Sequence, residues 1–123
     1  MQVTVATSQQ DGVFVLSFGG DIDVASAVTV RDALDRVIAA GHHCIVLDLD
    51  EVRFLDSTGL GVMVGRLKAV QDLDGDMHLV CSSARIARVM SITGLDEVFT
   101  IHDTVAAAAA AVAESCTDPG TGT

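Results

Sequence analysis

Asp56, Ser57 and Thr58 set a carboxylate and two hydroxyls side by side, immediately ahead of Gly59, Gly61 and Gly65. The preceding run Cys44 to Leu49 reads as a buried strand, and an apolar pattern at helical spacing follows. The three polar side chains therefore fall at a helix N-terminus, where backbone N–H groups lack intrahelical partners and the macrodipole favours negative charge. That placement favours an anion, and on the residues alone the first reading is a plain N-cap formed by Asp56 or Ser57. Each interior glycine costs a helix about 1 kcal/mol relative to alanine. A helix that opens with Gly59 and Gly61 presents a bare first turn, open to close approach by the backbone of another protein.

Other chemistries fail on spacing. A phosphate-cradling G-x-x-x-x-G-K-[ST] loop needs a second glycine where Val64 or Arg66 stands, and a dinucleotide G-x-G-x-x-G needs one at Val64. An aspartyl-phosphate receiver site could use Asp48 or Asp50 near a strand end. It also needs carboxylates after the first strand and a lysine on the last, whereas Lys68 is the sole lysine and lies in a helical pattern. His42, His43 and Cys44 are adjacent but lack a second ligand pair, and His78 and His102 stand apart, so no metal or cofactor is expected. No nucleophile–base pattern supports catalysis by this chain.

Two more carboxylates merit attention. Asp21 and Asp23 follow the run Val13 to Phe18, and in a helix-covered parallel sheet functional groups gather at the carboxyl ends of the strands. The Asp21–Asp23 loop and the Asp56–Ser57 loop are thus expected on one edge. Asp23 doubles as an N-cap candidate; Asp21 has no capping role.

The elements that position these residues alternate. Val3 and Val5 begin a strand over 2–7, and Gln10-Asp11-Gly12 marks a hairpin turn into the buried run 13–18, which Gly19-Gly20 interrupts. A helix over 24–40 follows, then the strand 44–49, a helix over 57–72 ended by Asp74-Gly75-Asp76, and a strand over 77–81. Ser82-Ser83 caps a helix carrying Ile86, Val89, Met90 and Ile92, stopped at Gly94. An edge strand at 98–101 and an alanine-driven helix over 103–114 complete the order. The pattern specifies one α/β domain over 1–114. Its mixed sheet is a hairpin followed by parallel strands, covered by about four helices, with a flexible tail at 115–123.

Composition bounds the partners. The chain has 123 residues and a net charge of −10, so unassisted binding to nucleic acid or an anionic membrane is disfavoured. With 4 phenylalanines and no tryptophan or tyrosine, it offers no stacking platform for bases. Neither a signal-peptide pattern nor an apolar run of membrane-spanning length is present. Its 3 cysteines read as buried thiols at Cys44 and Cys81 and a third at Cys116 in a polar tail, not as a closed disulfide framework. A reducing, cytoplasmic setting is expected.

The segments Gly20-Asp21-Ile22-Asp23, Phe54-Leu55-Asp56-Ser57-Thr58-Gly59-Leu60-Gly61-Val62 and Ile92-Thr93-Gly94-Leu95 resemble the bacterial anti-sigma factor antagonists, the single-domain STAS proteins. The likeness runs over about residues 2–114; the alanine run and the glycine-rich tail depart from the usual family C-terminus. It implies that Ser57 is phosphorylated by a partner serine kinase that is itself the anti-sigma factor and supplies the ATP. Thr58 stands as a second acceptor. By the same resemblance, Asp21, Asp23, Asp56, Thr58, Gly59 and Gly61 form the partner-binding surface, and a serine phosphatase resets the switch. Unphosphorylated, such a protein binds the anti-sigma factor and frees a sigma factor. The rival implication is a non-switching STAS scaffold subunit in a stress-signalling or lipid-transport complex.

Overall fold

Alternation along the strands sorts the apolar residues onto two faces of one sheet. In the computed structural model, which describes residues 3–10 and 12–116, β1 (Thr4–Gln10) and β2 (Val13–Ile22) form the expected hairpin, with Gln10 opposite Val13 and Gly12 at φ +79°. Next come α1 (Ala27–Ala39), β3 (Cys44–Leu55), α2 (Ser57–Gln71), β4 (Asp76–Val80), α3 (Ala84–Thr93), β5 (Ile101–His102) and α4 (Val105–Ser115). The strands lie in sequence order, antiparallel at β1–β2 and parallel thereafter.

Leu16, Phe18, Ile45, Leu47, Leu49 and Leu79 form the larger core with residues of α1, α2 and α3, among them Val30, Leu34, Met63, Leu67, Ile86 and Met90. The alternate positions Val13, Val15, Val46 and Val80 face the other way, against Ala108, Ala109 and Val112 of α4. The six-alanine run is therefore a packing face. Small side chains let α4 lie close to the sheet.

Several boundaries differ from the pattern-based ones. β2 does not stop at Gly19-Gly20 but continues to Ile22, with register shifts on either side of the glycines. β3 runs 12 residues instead of six because its second half pairs with that continuation. α1 begins at Ala27 rather than 24, for a reason given below. The segment 98–101 is not the edge strand: a 3-10 turn at Leu95–Glu97 intervenes, Phe99 turns into the core, and the paired residues are Ile101 and His102. Ile92, expected on the apolar face of α3, is 77% exposed. Gly94, at φ +77°, ends α3 as expected.

The domain also extends past 114. Ser115 closes α4, and Cys116 is buried and disulfide-bonded to Cys44, with Cα atoms 6.0 Å apart. Cys44 and Cys116 are thus not free thiols. The pairing joins residues 72 positions apart, a separation no local pattern reveals. Cys81 is buried and free as expected, and burial pushes its thiol pKa up. The remainder of the expected tail, 117–123, lies outside the described residues.

Candidate functional site: the first turn of the second helix

β2 and β3 end together. Asp21 pairs with Phe54 and Ile22 with Leu55, and the Asp56 amide donates to the Ile22 carbonyl at 3.2 Å. The two acidic loops therefore meet on one edge, as the parallel topology requires.

Asp56 is the N-cap of α2. Its backbone is extended, and its carboxylate accepts from the Thr58 amide at 3.0 Å and the Gly59 amide at 3.2 Å. Ser57, the first helical residue, is exposed, and its hydroxyl makes no hydrogen bond to any described residue. The capping reading and the acceptor reading are thus divided between two neighbours: Asp56 caps and Ser57 is left free. Thr58 is exposed as well.

The glycines separate by role. A Cβ at Gly59 would stand 2.5 Å from Ile22 Cγ2 and 2.9 Å from Leu55 Cδ1. Gly59 is buried and serves to bring α2 against the strand ends; it has no surface to offer a partner. Gly61 is exposed with open space where a Cβ would be, so it keeps the bare surface foreseen for the first turn. Ser57 and Gly61 border an apolar hollow completed by Leu60, Val64, Thr93 and Leu95. Two of the recognisable sequence segments, around Ser57 and around Gly94, meet there.

Asp21 and Asp23 diverge. The Asp23 carboxylate accepts from the Ser26 amide at 3.0 Å, and the Asp23 amide donates to the Ser26 hydroxyl at 2.9 Å. That hydroxyl lies 2.7 Å from the Asp21 carbonyl and 2.9 Å from the Asp23 carboxylate, between which its proton is shared. The Ser26 amide, and then its hydroxyl, hold the Asp23 carboxyl below its ordinary pKa. This reciprocal turn delays the helix to Ala27; Ser26 takes the N-cap position assigned to Asp23. Asp21 instead faces a groove with Arg53, Phe54, Leu55, Arg85, Ile86 and Val89, its carboxylate 3.8 Å from Arg53 Nε. Phe54 is 50% exposed, and Arg85 donates to the Arg53 carbonyl at 3.3 Å. The two cations and the half-exposed aromatic ring of this groove were not singled out in the sequence. The available signal was the pairing of Phe54 with Leu55, which breaks strand alternation and leaves one of the two outside.

The other titratable groups have structural work. Asp50 accepts from the Ser82 amide at 2.7 Å and its hydroxyl at 2.9 Å, and Asp48 takes the Ser17 hydroxyl at 3.3 Å and the Asp50 amide at 3.1 Å. His42 lies against Phe14. His78 and His102, which looked isolated, are neighbours on β4 and β5 with ring nitrogens 3.0 Å apart, and His78 also reaches Asp76 at 3.0 Å. Burial, and secondly His78, lowers the His102 pKa. Among the described residues no cluster of three ligating side chains could hold a metal ion, and no helix is long and apolar enough to cross a membrane.

Known proteins share this fold. The family model described as "STAS domain" matches residues 4–108. A Staphylococcus aureus protein named anti-sigma-B factor antagonist is 32% identical over 103 residues, covering 84% of this chain and 95% of the relative. The crystal structure of an anti-sigma factor antagonist from Mycobacterium paratuberculosis superposes with a TM-score of 0.77 at 31% identity, over 89% of this chain and 93% of that one. The Bacillus cell fate determinant SpoIIAA in its phosphorylated form shares the fold, with a TM-score of 0.67 at 21% identity over 89% of this chain and 99% of that one. With the sheet order, the helix opened by Asp56-Ser57 and a family match spanning nearly all described elements, the chain belongs to the STAS domain family.

Proposed function

We propose that this STAS domain is an anti-sigma factor antagonist whose hold on its partner is released by phosphorylation of Ser57. The names of its relatives support the antagonist role. The observation that carries the switch is the free, exposed Ser57 hydroxyl beside a capped helix start. In this reading the chain is a kinase substrate, not a catalyst. The anti-sigma factor brings the ATP and the serine kinase activity, and a separate serine phosphatase restores the hydroxyl. Sigma factors act on RNA polymerase, so the exchange takes place in the cytoplasm. The partner rests on the edge formed by Ser57, Thr58, Gly61 and the Asp21 groove.

Electrostatics supply the direction. Phosphate adds about −1.5 to −2 charge. In the free domain the helix N-terminus returns roughly 0.3–2 kcal/mol. The Asp56 carboxylate opposes this and already occupies the Thr58 and Gly59 amides, so the fold gains or loses little. Inside an interface the dianion must shed water, at a cost of several kcal/mol if unpaired. At 1.4 kcal/mol per tenfold, a loss of about 10²-fold or more in affinity follows.

Titration calorimetry against the anti-sigma kinase tests this. Ser57→Ala should bind and resist phosphorylation, and Ser57→Asp should bind poorly while circular dichroism shows it folded. Equal affinity of Ser57→Ala and phosphorylated wild type would sink the switch. A chain that binds its partners yet accepts no phosphate would be the non-switching scaffold.

A further inference from the structure

The second face of the sheet carries a site unrelated to Ser57. Among the described residues α4 is the one helix on that face, and it buries only small side chains there, Ala108, Ala109 and Val112. Small side chains remove less apolar area from water than the leucines, isoleucine and methionines beneath the other helices, so the apolar hold on α4 is modest. Its C-terminal end is tied down twice. Cys116 is bonded to Cys44, and the Ser115 hydroxyl donates to the Asp76 carboxylate at 2.9 Å. Cys44 and Asp76 are partners in the β3–β4 register, so both ties land on the same rung of the sheet.

We propose that Cys44 and Cys116 are a reversible thiol–disulfide couple that latches α4 to the sheet and exchanges with small thiols and their disulfides. In the reducing direction a small thiolate attacks one sulfur, forms a mixed disulfide and frees the other cysteine as a thiol. A second small thiol then displaces the first. The balance is one protein disulfide plus two thiols giving two cysteine thiols plus one small disulfide; oxidation is the reverse. Cys44 and Cys116 are both buried, so exchange with a small thiol requires the end of α4 to open; Cys116 is the C-cap of that helix, where fraying is easiest. Cys81 cannot intrude, because it belongs to the core on the opposite face of the sheet. The closed loop spans 72 residues, so the bond removes much of the unfolded chain's freedom. Reduction leaves the Ser115–Asp76 bond and the alanine face to hold α4, and the helix then opens more often. This inference goes beyond the Ser57 switch and is independent of it.

The test uses the full chain in glutathione buffers of graded ratio, with thiol counting, non-reducing peptide mapping and hydrogen exchange. The expected result in the oxidised protein is one reactive thiol after denaturation, at Cys81, and a linked Cys44–Cys116 peptide. Across the glutathione series the link should disappear in a two-electron transition. Amide exchange in α4 should speed up tenfold or more while α2 is unchanged, and Tm should fall by about 10 °C. Cys116→Ser, with two thiols, should show the α4 exchange and the Tm of the reduced protein in every buffer. Three thiols at all ratios, a link that glutathione never opens, or equal α4 exchange in both states would each overturn the proposal. None of these readings involves the anti-sigma kinase, so they stand or fall apart from the phosphorylation result.

Discussion

The Asp56 amide donates to the Ile22 carbonyl at 3.2 Å, and this bond joins the end of β2 to the start of α2. It places the Asp21 groove and the Ser57 hydroxyl on a single edge. It also explains why Gly59 has no side chain: the first turn of α2 is drawn down onto Ile22 and Leu55.

Gly59 and Gly61 should therefore answer alanine in opposite ways. Gly59→Ala overfills a packed contact and should destabilise by about 1–3 kcal/mol. Gly61→Ala meets open space and should stabilise by about 0.4–1 kcal/mol, while weakening partner binding at the bare surface. Urea denaturation of both variants checks the signs.

Asp56→Ala removes the cap and should cost about 1 kcal/mol, with Asp56→Asn recovering most of it. Because the cap orders the turn that presents Ser57, phosphorylation by the kinase should slow in Asp56→Ala and recover in Asp56→Asn. Chemical denaturation and a phosphate-transfer assay on the same samples decide this.

Asp21 and Asp23, taken together on the sequence as recognition residues, should separate. Asp21→Asn changes a groove-facing side chain and should alter stability by less than about 0.5 kcal/mol while reducing partner binding. Asp23→Ala should lower the thermal midpoint, since the Ser26 turn depends on its carboxylate. The folded pKa of Asp23 lies below its ordinary value of 3.8, so its contribution is complete above that pH. It is lost as pH falls through the folded value. Asp23→Asn should flatten this part of the acid denaturation curve.

The His78–His102 contact predicts a second acid response. The two rings approach nitrogen to nitrogen at 3.0 Å, and burial disfavours a charge on His102. The His102 pKa is lowered from 6.5, so the stability it contributes is present above that value and is lost as pH falls through the folded pKa. Proton NMR titration should place His102 below 6.5, and His102→Gln should remove the stability loss that begins there.

Short-range chemistry was readable in the residues themselves. Asp56 capping its own next turn, Gly94 ending α3, Gly12 turning the hairpin and Ser83 opening α3 each involve groups within a few positions, so local geometry decides them. The alternation of elements likewise dictated a helix-covered sheet, parallel after the first hairpin, and the Asp-Ser-Thr-Gly segment marked the start of α2. Long-range partners decided the rest. β2 runs through two glycines because β3 supplies a ladder beyond them, and β3 lengthens for the same reason. Gly59 looked like open surface until Ile22 and Leu55 arrived from other strands. Cys44 and Cys116, His78 and His102, and Asp21 with Arg85 became neighbours only when the sheet set them on adjacent rungs or beside a packed helix. Sequence spacing carries information about neighbours along a chain. Which distant side chains share a rung is set by the register and packing of the whole sheet, and the tertiary structure alone decides that.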